Sequence, residues 1–205
     1  MKLLLFSDVH RDLDAARELV ARSAGADVAV CAGDLAGMRE GLQPVVDILS
    51  EMRIPAVLVA GNGESADELS AALESAGWPS ARVLHGSGAA IDGLSFWGIG
   101  GGIPVTPFGD WSWDFTEDEA RQLLADCPDE AVLVSHSPPF GHVDVSRGEH
   151  LGSRAVLEAV ERTRPRLVVC GHIHSAWRDE SAVGPTRIVN AGPEGMVVEV
   201  QSGLR

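Results

Sequence analysis

The chain is short of positive charge, of cysteine and of long apolar runs, and each shortage removes a class of function. Its 205 residues carry 16 Lys or Arg against 30 Asp or Glu, a formal net charge of −14 with a pI near 4.8. So acidic a surface argues against a nucleic-acid backbone or an anionic membrane as the main partner, although a local cationic centre could still attract a small anion. The three cysteines, Cys31, Cys127 and Cys170, are odd in number and show no CxxC spacing. That speaks against a disulfide framework or a structural zinc knuckle, and Cys31 and Cys170 read as buried thiols inside apolar runs. The apolar stretch Leu3–Phe6 is far below the roughly 20 residues of a membrane span and too short for a signal peptide. A reducing cytoplasm is the expected compartment. With 45% apolar and 22% charged residues, the composition is that of a folded globular protein, expected as one domain over residues 1–205.

What the chain does have is a repeated succession of an apolar run, a polar cluster and a helical stretch. Lys2–Phe6 leads into Ser7-Asp8-Val9-His10, Val28–Ala32 into Gly33-Asp34, and Ala56–Ala60 into Gly61-Asn62-Gly63-Glu64. Ala131–Val134 leads into Ser135-His136, and Leu167–Cys170 into Gly171-His172-Ile173-His174. Continuous Val- and Leu-rich runs read as strands covered on both faces. Helical spacing follows at Leu13, Ala16, Leu19 and Val20, at Val45, Val46 and Leu49, and at Val156, Leu157 and Val160 after a Ser153 N-cap. Thr116-Glu117-Asp118-Glu119 has the form of a capping box opening a helix to about Ala125. Alternating strands and helices define an α/β protein. Short strands joined by turns over about Val83–Ile99, and two more over about Pro185–Gln201 across Asn190-Ala191-Gly192-Pro193, make the sheets mixed. Gly100–Trp113 reads as a long loop able to cover a site.

Ligands of open α/β sheets bind at the carboxyl ends of parallel strands. Five such ends bring together Asp8, His10, Asp34, Asn62, His136, His172 and His174. Clustered carboxylates repel one another when buried, and divalent cations remove that conflict. Seven ligands exceed one tetrahedral zinc but suit two metals about 3.5–4 Å apart that share a carboxylate. A mixed N/O set without Cys suits Mn²⁺, Fe or Zn²⁺ better than Ca²⁺.

These blocks resemble the calcineurin-like metallophosphoesterases, whose ordered motifs are D-x-H, G-D, G-N-H-[DE], H and G-H-x-H. The resemblance spans most of the chain. It implies two mixed β-sheets packed as a sandwich flanked by helices, a four-layer αββα fold. It also implies a first metal on Asp8, His10 and His174, a second on Asn62, His136 and His172, and Asp34 bridging them. The implied activity is hydrolysis of phosphodiesters or phosphomonoesters of small substrates, with Asp34, Asn62, His136 and Arg11 as catalytic candidates. Mn²⁺ is the expected metal, with Fe, Zn²⁺ or Mg²⁺ as alternatives. Its chemistry is attack by a metal-bound hydroxide.

The chain departs from the family pattern at Gly63, where most members carry the His that assists the leaving group. General-acid help contributes typically 10²–10⁴-fold, so its loss tilts the reading toward diesters with good leaving groups. Arg11 is a candidate to clamp a phosphate oxygen, or else a solvated residue at a helix start. His142 is a candidate substrate contact, while His85 and His150 read as surface residues. Trp111 and Trp113 either line the entrance or pack the long loop. Glu64 and Asp12 are expected to orient the ligand imidazoles from behind. Two rivals stand beside the phosphoesterase: a scaffold that keeps the fold without the chemistry, and a different dinuclear enzyme such as a nuclease.

Overall fold

The five apolar runs are strands because an unbroken row of Val, Leu, Ala and Cys can satisfy itself only with apolar packing on both faces. In the computed structural model, which describes residues 1–201, they alternate with helices as expected; residues 202–205 of the expected domain lie outside that description. The first half runs β1 (Lys2–Phe6), α1 (Leu13–Ser23), β2 (Val28–Cys31), α2 (Leu42–Leu49), β3 (Ala56–Leu58), α3 (Ala66–Ala76) and β4 (Ala81–Val83). Then come β5 (Ser87–Ile91), β6 (Leu94–Ile99), α4 (Glu117–Leu124), β7 (Val132–Ser135), β8 (Val145–Ser146) and β9 (Glu149–His150). The chain ends with α5 (Arg154–Thr163), β10 (Leu167–Cys170), β11 (Glu180–Val183), β12 (Thr186–Asn190) and β13 (Met196–Glu199).

Two large sheets result. One has the order β13-β1-β2-β3-β4, the other β11-β12-β10-β7-β6-β5. Strands β1 to β4 are parallel with β13 antiparallel at the edge, and β6, β7, β10 and β12 are parallel between antiparallel β5 and β11. Three apolar clusters separate four layers. Leu3, Leu5, Val30 and Val57 of the first sheet meet Phe96, Val132, Val134 and Val169 of the second. The other face of the first sheet, with Leu4, Phe6, Cys31 and Leu58, packs on Leu19, Val46 and Leu69 of α1, α2 and α3. Leu133, Val168 and Cys170 on the far face of the second sheet pack on Leu124, Val156 and Val160 of α4 and α5. This is the αββα sandwich that the motifs implied.

Local chemistry explains the helix starts. Ser153 accepts from the Val156 N–H, and Thr116 with Glu119 closes the capping box of α4. Helix α3 falls outside the sequence expectations, although Ser65 and Glu68 form a second complete capping box there. Strand β11 falls outside them too, and the two strands expected over about Pro185–Gln201 lie in different sheets. In fact β12 belongs to the second sheet and β13 to the first. The turn at Asn190–Pro193 therefore crosses between sheets, a long-range choice that no local pattern encodes. The same holds for β4, which pairs with β3 instead of joining the β5–β6 hairpin. Among the described residues no helix is long and apolar enough to cross a membrane.

Phe96 lies in the cluster between the sheets at 1% exposure. Phe96→Ala is expected to cost about 3–5 kcal/mol, read as a lower urea midpoint at unchanged slope. A loss below about 1 kcal/mol would show that the two sheets do not share this core.

Candidate metal centre

The polar ends of β1, β2, β3, β7 and β10 converge at one edge of the sandwich. Residues Asp8, His10, Asp34 and His172 all sit at positive φ, between 45° and 66°. Left-handed backbone in non-glycine residues costs about 1–3 kcal/mol each and collects where side chains must be aimed. Here it turns four side chains off their strand ends into one space. The motif glycines have a different reason. A Cβ at Gly61 would fall 1.9 Å from Asp34 Oδ1, and one at Gly171 would fall 2.6 Å from Asp8 Oδ2. These segments approach too closely for any side chain.

Backbone and side-chain donors hold both oxygens of Asp8 but only one oxygen of Asp34. Asp34 Oδ1 accepts from the Gly63 N–H at 2.7 Å, while Oδ2 lies 3.6 Å from both His10 Nε2 and His136 Nε2. Asp8 Oδ2 accepts from Ser7 Oγ at 2.6 Å and Trp177 Nε1 at 3.2 Å. Its Oδ1 accepts from the His172 N–H and lies 3.7 Å from His174 Nε2 and 4.0 Å from His10 Nε2.

The imidazoles are oriented by backbone. His136 Nδ1 donates to Ala32 O at 2.7 Å and His10 Nδ1 to Ala36 O at 3.1 Å. A carbonyl only accepts, so in the neutral ring each Nε2 carries the lone pair, and both point inward. His10 Nε2 and His174 Nε2 approach to 3.1 Å, and His136 Nε2 and His172 Nδ1 to 3.2 Å. Asn62 Oδ1 lies 3.2 Å from His136 Nε2 and 3.1 Å from His172 Nδ1. All seven residues expected as ligands are thus brought together. Two groups, Asp8–His10–His174 and Asp8–Asp34–His136, have donor atoms near enough to hold a metal ion.

Electrostatics agree with that use. Burial pushes the Asp8 carboxyl up, and the neighbouring Asp34 carboxylate adds to the rise. Burial would raise Asp34 as well, but His136 and His10 beside it outweigh this and hold its carboxyl low. Burial, with His136 next to it, depresses His172 to about 3, leaving a neutral ring with a free lone pair. Glu64, fully buried beside Asp34, is pushed up to about 7.

The neighbouring candidates take varied places. Glu64 orients no imidazole; it accepts from the Leu35, Ala36 and Gly61 N–H groups and so ties the Asp34 loop to the Asn62 loop. Asp12 caps α1 through the Asp14 and Ala15 N–H groups. Arg11 is not among the residues lining the cleft; it runs along Gly37 and Gly41 and pairs with Glu40 at 3.3 Å. His142 lies against Ser181 Oγ at 3.2 Å, outside the cleft lining. His85 is half-buried, accepts from the Gly100 N–H, and packs on Trp113 and Phe115. The two loop tryptophans divide: Trp113 packs on the core, and Trp111 lines the cleft with Phe108.

Sequence reasoning missed the groups behind the ligands. Asn190 donates through Nδ2 to Gly171 O and Ile173 O, pinning the loop that carries His172 and His174. It ends an apolar strand, the same signal that exposed the ligands. Asn62 Nδ2 donates to Ser112 Oγ at 2.9 Å, Ser112 Oγ donates to Asp114 Oδ1 at 2.7 Å, and Thr106 Oγ1 donates to Asp114 Oδ2 at 2.7 Å. The Ser112 proton is committed to a carboxylate, so its lone pair faces Asn62 and fixes the amide with Oδ1 toward the histidines. Only coordinates reveal this ladder, because Asn62 and Ser112 are 50 residues apart.

Comparisons with known proteins agree with the fold and the donor set. Residues 1–202 match the model of the calcineurin-like phosphoesterase superfamily domain. The chain belongs to this family. A Caenorhabditis elegans protein of the UPF0046 group is 34% identical over 113 residues, which is 53% of this chain and 36% of that protein. The chain therefore matches only about a third of the length of that relative. Among solved structures, a Thermus thermophilus protein aligns with a TM-score of 0.75 at 20% identity, covering 94% of this chain and 90% of the other. A dimetal phosphatase from Danio rerio aligns at 0.64 and 14% identity, covering 94% and 88%. Identities this low speak for the fold alone. The aspartate and histidine groups fit a metallophosphoesterase.

Ser112→Ala should free the Asn62 amide to turn. The expected result is a roughly ten- to hundredfold weaker Mn²⁺ affinity by calorimetric titration, with Ser112→Thr restoring it. Unchanged affinity in Ser112→Ala would remove the ladder from the metal centre.

Proposed function

We propose that residues 1–205 act as one domain, a metal-dependent phosphoesterase that hydrolyses small diester or monoester substrates, diesters being favoured. The observation that carries the reading is Asp34 Oδ2, placed 3.6 Å from an inward-facing nitrogen on either side while the other oxygen is locked to backbone. Such a carboxylate can serve two cations at once. On this reading Asp8, His10 and His174 hold one, Asn62, His136 and His172 hold the other, and Asp34 is shared. Mn²⁺ is the favoured metal, with Fe, Zn²⁺ or Mg²⁺ as alternatives that the same N/O donors accept. When bound, the pair polarises phosphoryl oxygens and lowers the pKa of a water between them.

The chain's own residues do the rest. The Ala32 and Ala36 carbonyls keep the His136 and His10 rings turned inward. The ester enters on the flank where His10 and His174 are exposed, since Asp8 and His136 are closed off. Arg11 would have to leave Glu40 to reach a phosphate, and His142 is engaged with Ser181, so neither carries part of this reading. Gly63 supplies no acid to the leaving group, and a Cβ there would already lie 3.1 Å from Ala36 O and Asp34 Oδ1. Leaving groups therefore depart with their own negative charge, which favours esters of acidic alcohols. The free, buried Cys31, Cys127 and Cys170 support a reducing cytoplasm as its setting.

Purified protein is expected to bind two Mn²⁺ per chain, to release nitrophenol from a nitrophenyl diester, and to lose turnover on chelation. Asp34→Ala and His136→Ala should each lower kcat at least about a thousandfold with little change in circular dichroism. Full activity in either variant overturns the assignment. Metal-free protein without turnover favours the scaffold. The missing acid gives a second expectation: at fixed spectator arm, the rate should fall by about 10²-fold or more from a nitrophenyl to a phenyl leaving group. A nearly flat dependence would show that another residue donates the proton.

A further inference from the structure

The metal-facing cleft, of about 410 Å³, continues into a second cavity of about 450 Å³ that shares Phe108, Ser146, Leu151 and His172 with it. The added walls are Pro104, Val105 and Pro107 of the long loop. Of the large apolar side chains exposed among the described residues, Val105 at 59%, Phe108 at 49% and Leu151 at 44% all face this continuous groove. Scattered exposed apolar residues need no explanation, but three gathered on the rim of one site mark a binding surface.

The wall of the groove also carries two aligned aromatic rings. Phe108 and Trp111 lie with ring centroids 5.5 Å apart and planes only 10° from parallel. Their loop is held in place, because Arg39 Nε donates to Trp111 O at 2.7 Å and the neighbouring Ser112 and Thr106 are bonded to Asp114. Among Asp, Glu, Lys and Arg, the second cavity is lined only by Arg147 and Glu149, which are of opposite sign. With Arg147 offset by Glu149, a second phosphate or a nucleic-acid strand would find no net positive charge there. The geometry points to a subsite for an uncharged aromatic arm of the phosphate ester, seated on Phe108, Trp111 and Leu151 beside the metal centre. The subsite rests on the phosphoesterase reading, since it takes the organic half of the ester whose phosphate the histidines and aspartates receive.

Phenylphosphonate and methylphosphonate share a head group and differ in the arm, and neither can be hydrolysed at its P–C bond. Calorimetric titration of the Mn²⁺-loaded protein should show the phenyl compound binding about tenfold more tightly. Phe108→Ala and Leu151→Ala, at exposed positions that leave the fold intact, should erase most of that preference and leave methylphosphonate affinity unchanged. Equal affinities in the wild type, or a preference that survives both substitutions, overturns the subsite while the hydrolase reading stands. If neither phosphonate binds, the phosphate site itself fails and the subsite with it. Phe108→Ala that changes only self-association by sedimentation, with the phosphonate preference intact, assigns the groove to contact between copies and overturns the proposal.

Discussion

The structure turns on a repulsion that the fold itself creates. Asp8, Asp34 and Glu64 are buried carboxylates, exposed by 2%, 4% and 1%, at the meeting of three strand ends. Bringing them out of water costs several kcal/mol per ion unless each finds a partner. The protein offsets part of this with backbone: Gly63 donates to Asp34, His172 to Asp8, and three N–H groups to Glu64. Those donors exist only because the segments pass within contact distance of one another, which is why glycine stands at positions 61 and 171. The repulsion, the glycines and the left-handed residues are therefore one feature. What remains without a donor is Asp34 Oδ2 between His10 and His136, while Asp8 Oδ1 keeps one backbone donor beside His10 and His174.

Much of this was legible because it is written locally. A strand buried on both faces has no reason of its own to end in Asp, His or Asn, so five such endings announced the centre before any topology was known. The helix caps at Thr116 and Ser153 were readable for the same reason, being fixed offsets in sequence. The equivalent cap at Ser65 carries an identical signal and is easily passed over, since it follows so closely on the Asn62 cluster. What could not be read is pairing across distance. Nothing near Met196 states that β13 joins β1, and nothing near Ser112 states that its hydroxyl will meet Asn62.

Two residues adjacent to ligands in sequence teach a related point. Arg11 and Glu64 stand beside ligands in sequence, and adjacency suggested that one would face the substrate and the other the imidazoles. At positive φ, however, successive side chains diverge sharply. Arg11, at φ 68°, is swung along the Gly37–Gly41 loop to Glu40, while His10 is swung inward. Glu64 turns back to collect the backbone donors that the crowded loops leave behind. Strained backbone aims ligands well and for the same reason makes their neighbours poor candidates for the same task.

The centre is asymmetric, and the asymmetry bears on how anything reaches it. His10 and His174 side chains are 33% and 52% exposed, whereas His136 is fully covered beneath Ala32 and Asn62. A group bound for His136 has to pass the open pair first. The loop that closes the buried side is also the loop that presents Phe108 and Trp111 to the cleft, and Ser112 joins the two roles one residue away. A shift of the loop backbone at Ser112 would therefore pull on the Asn62 amide, whereas trimming the Phe108 side chain leaves that support in place. Metal geometry thus depends on the polar residues of this loop, Ser112 and Asp114, and its aromatic side chains can vary while that support stays.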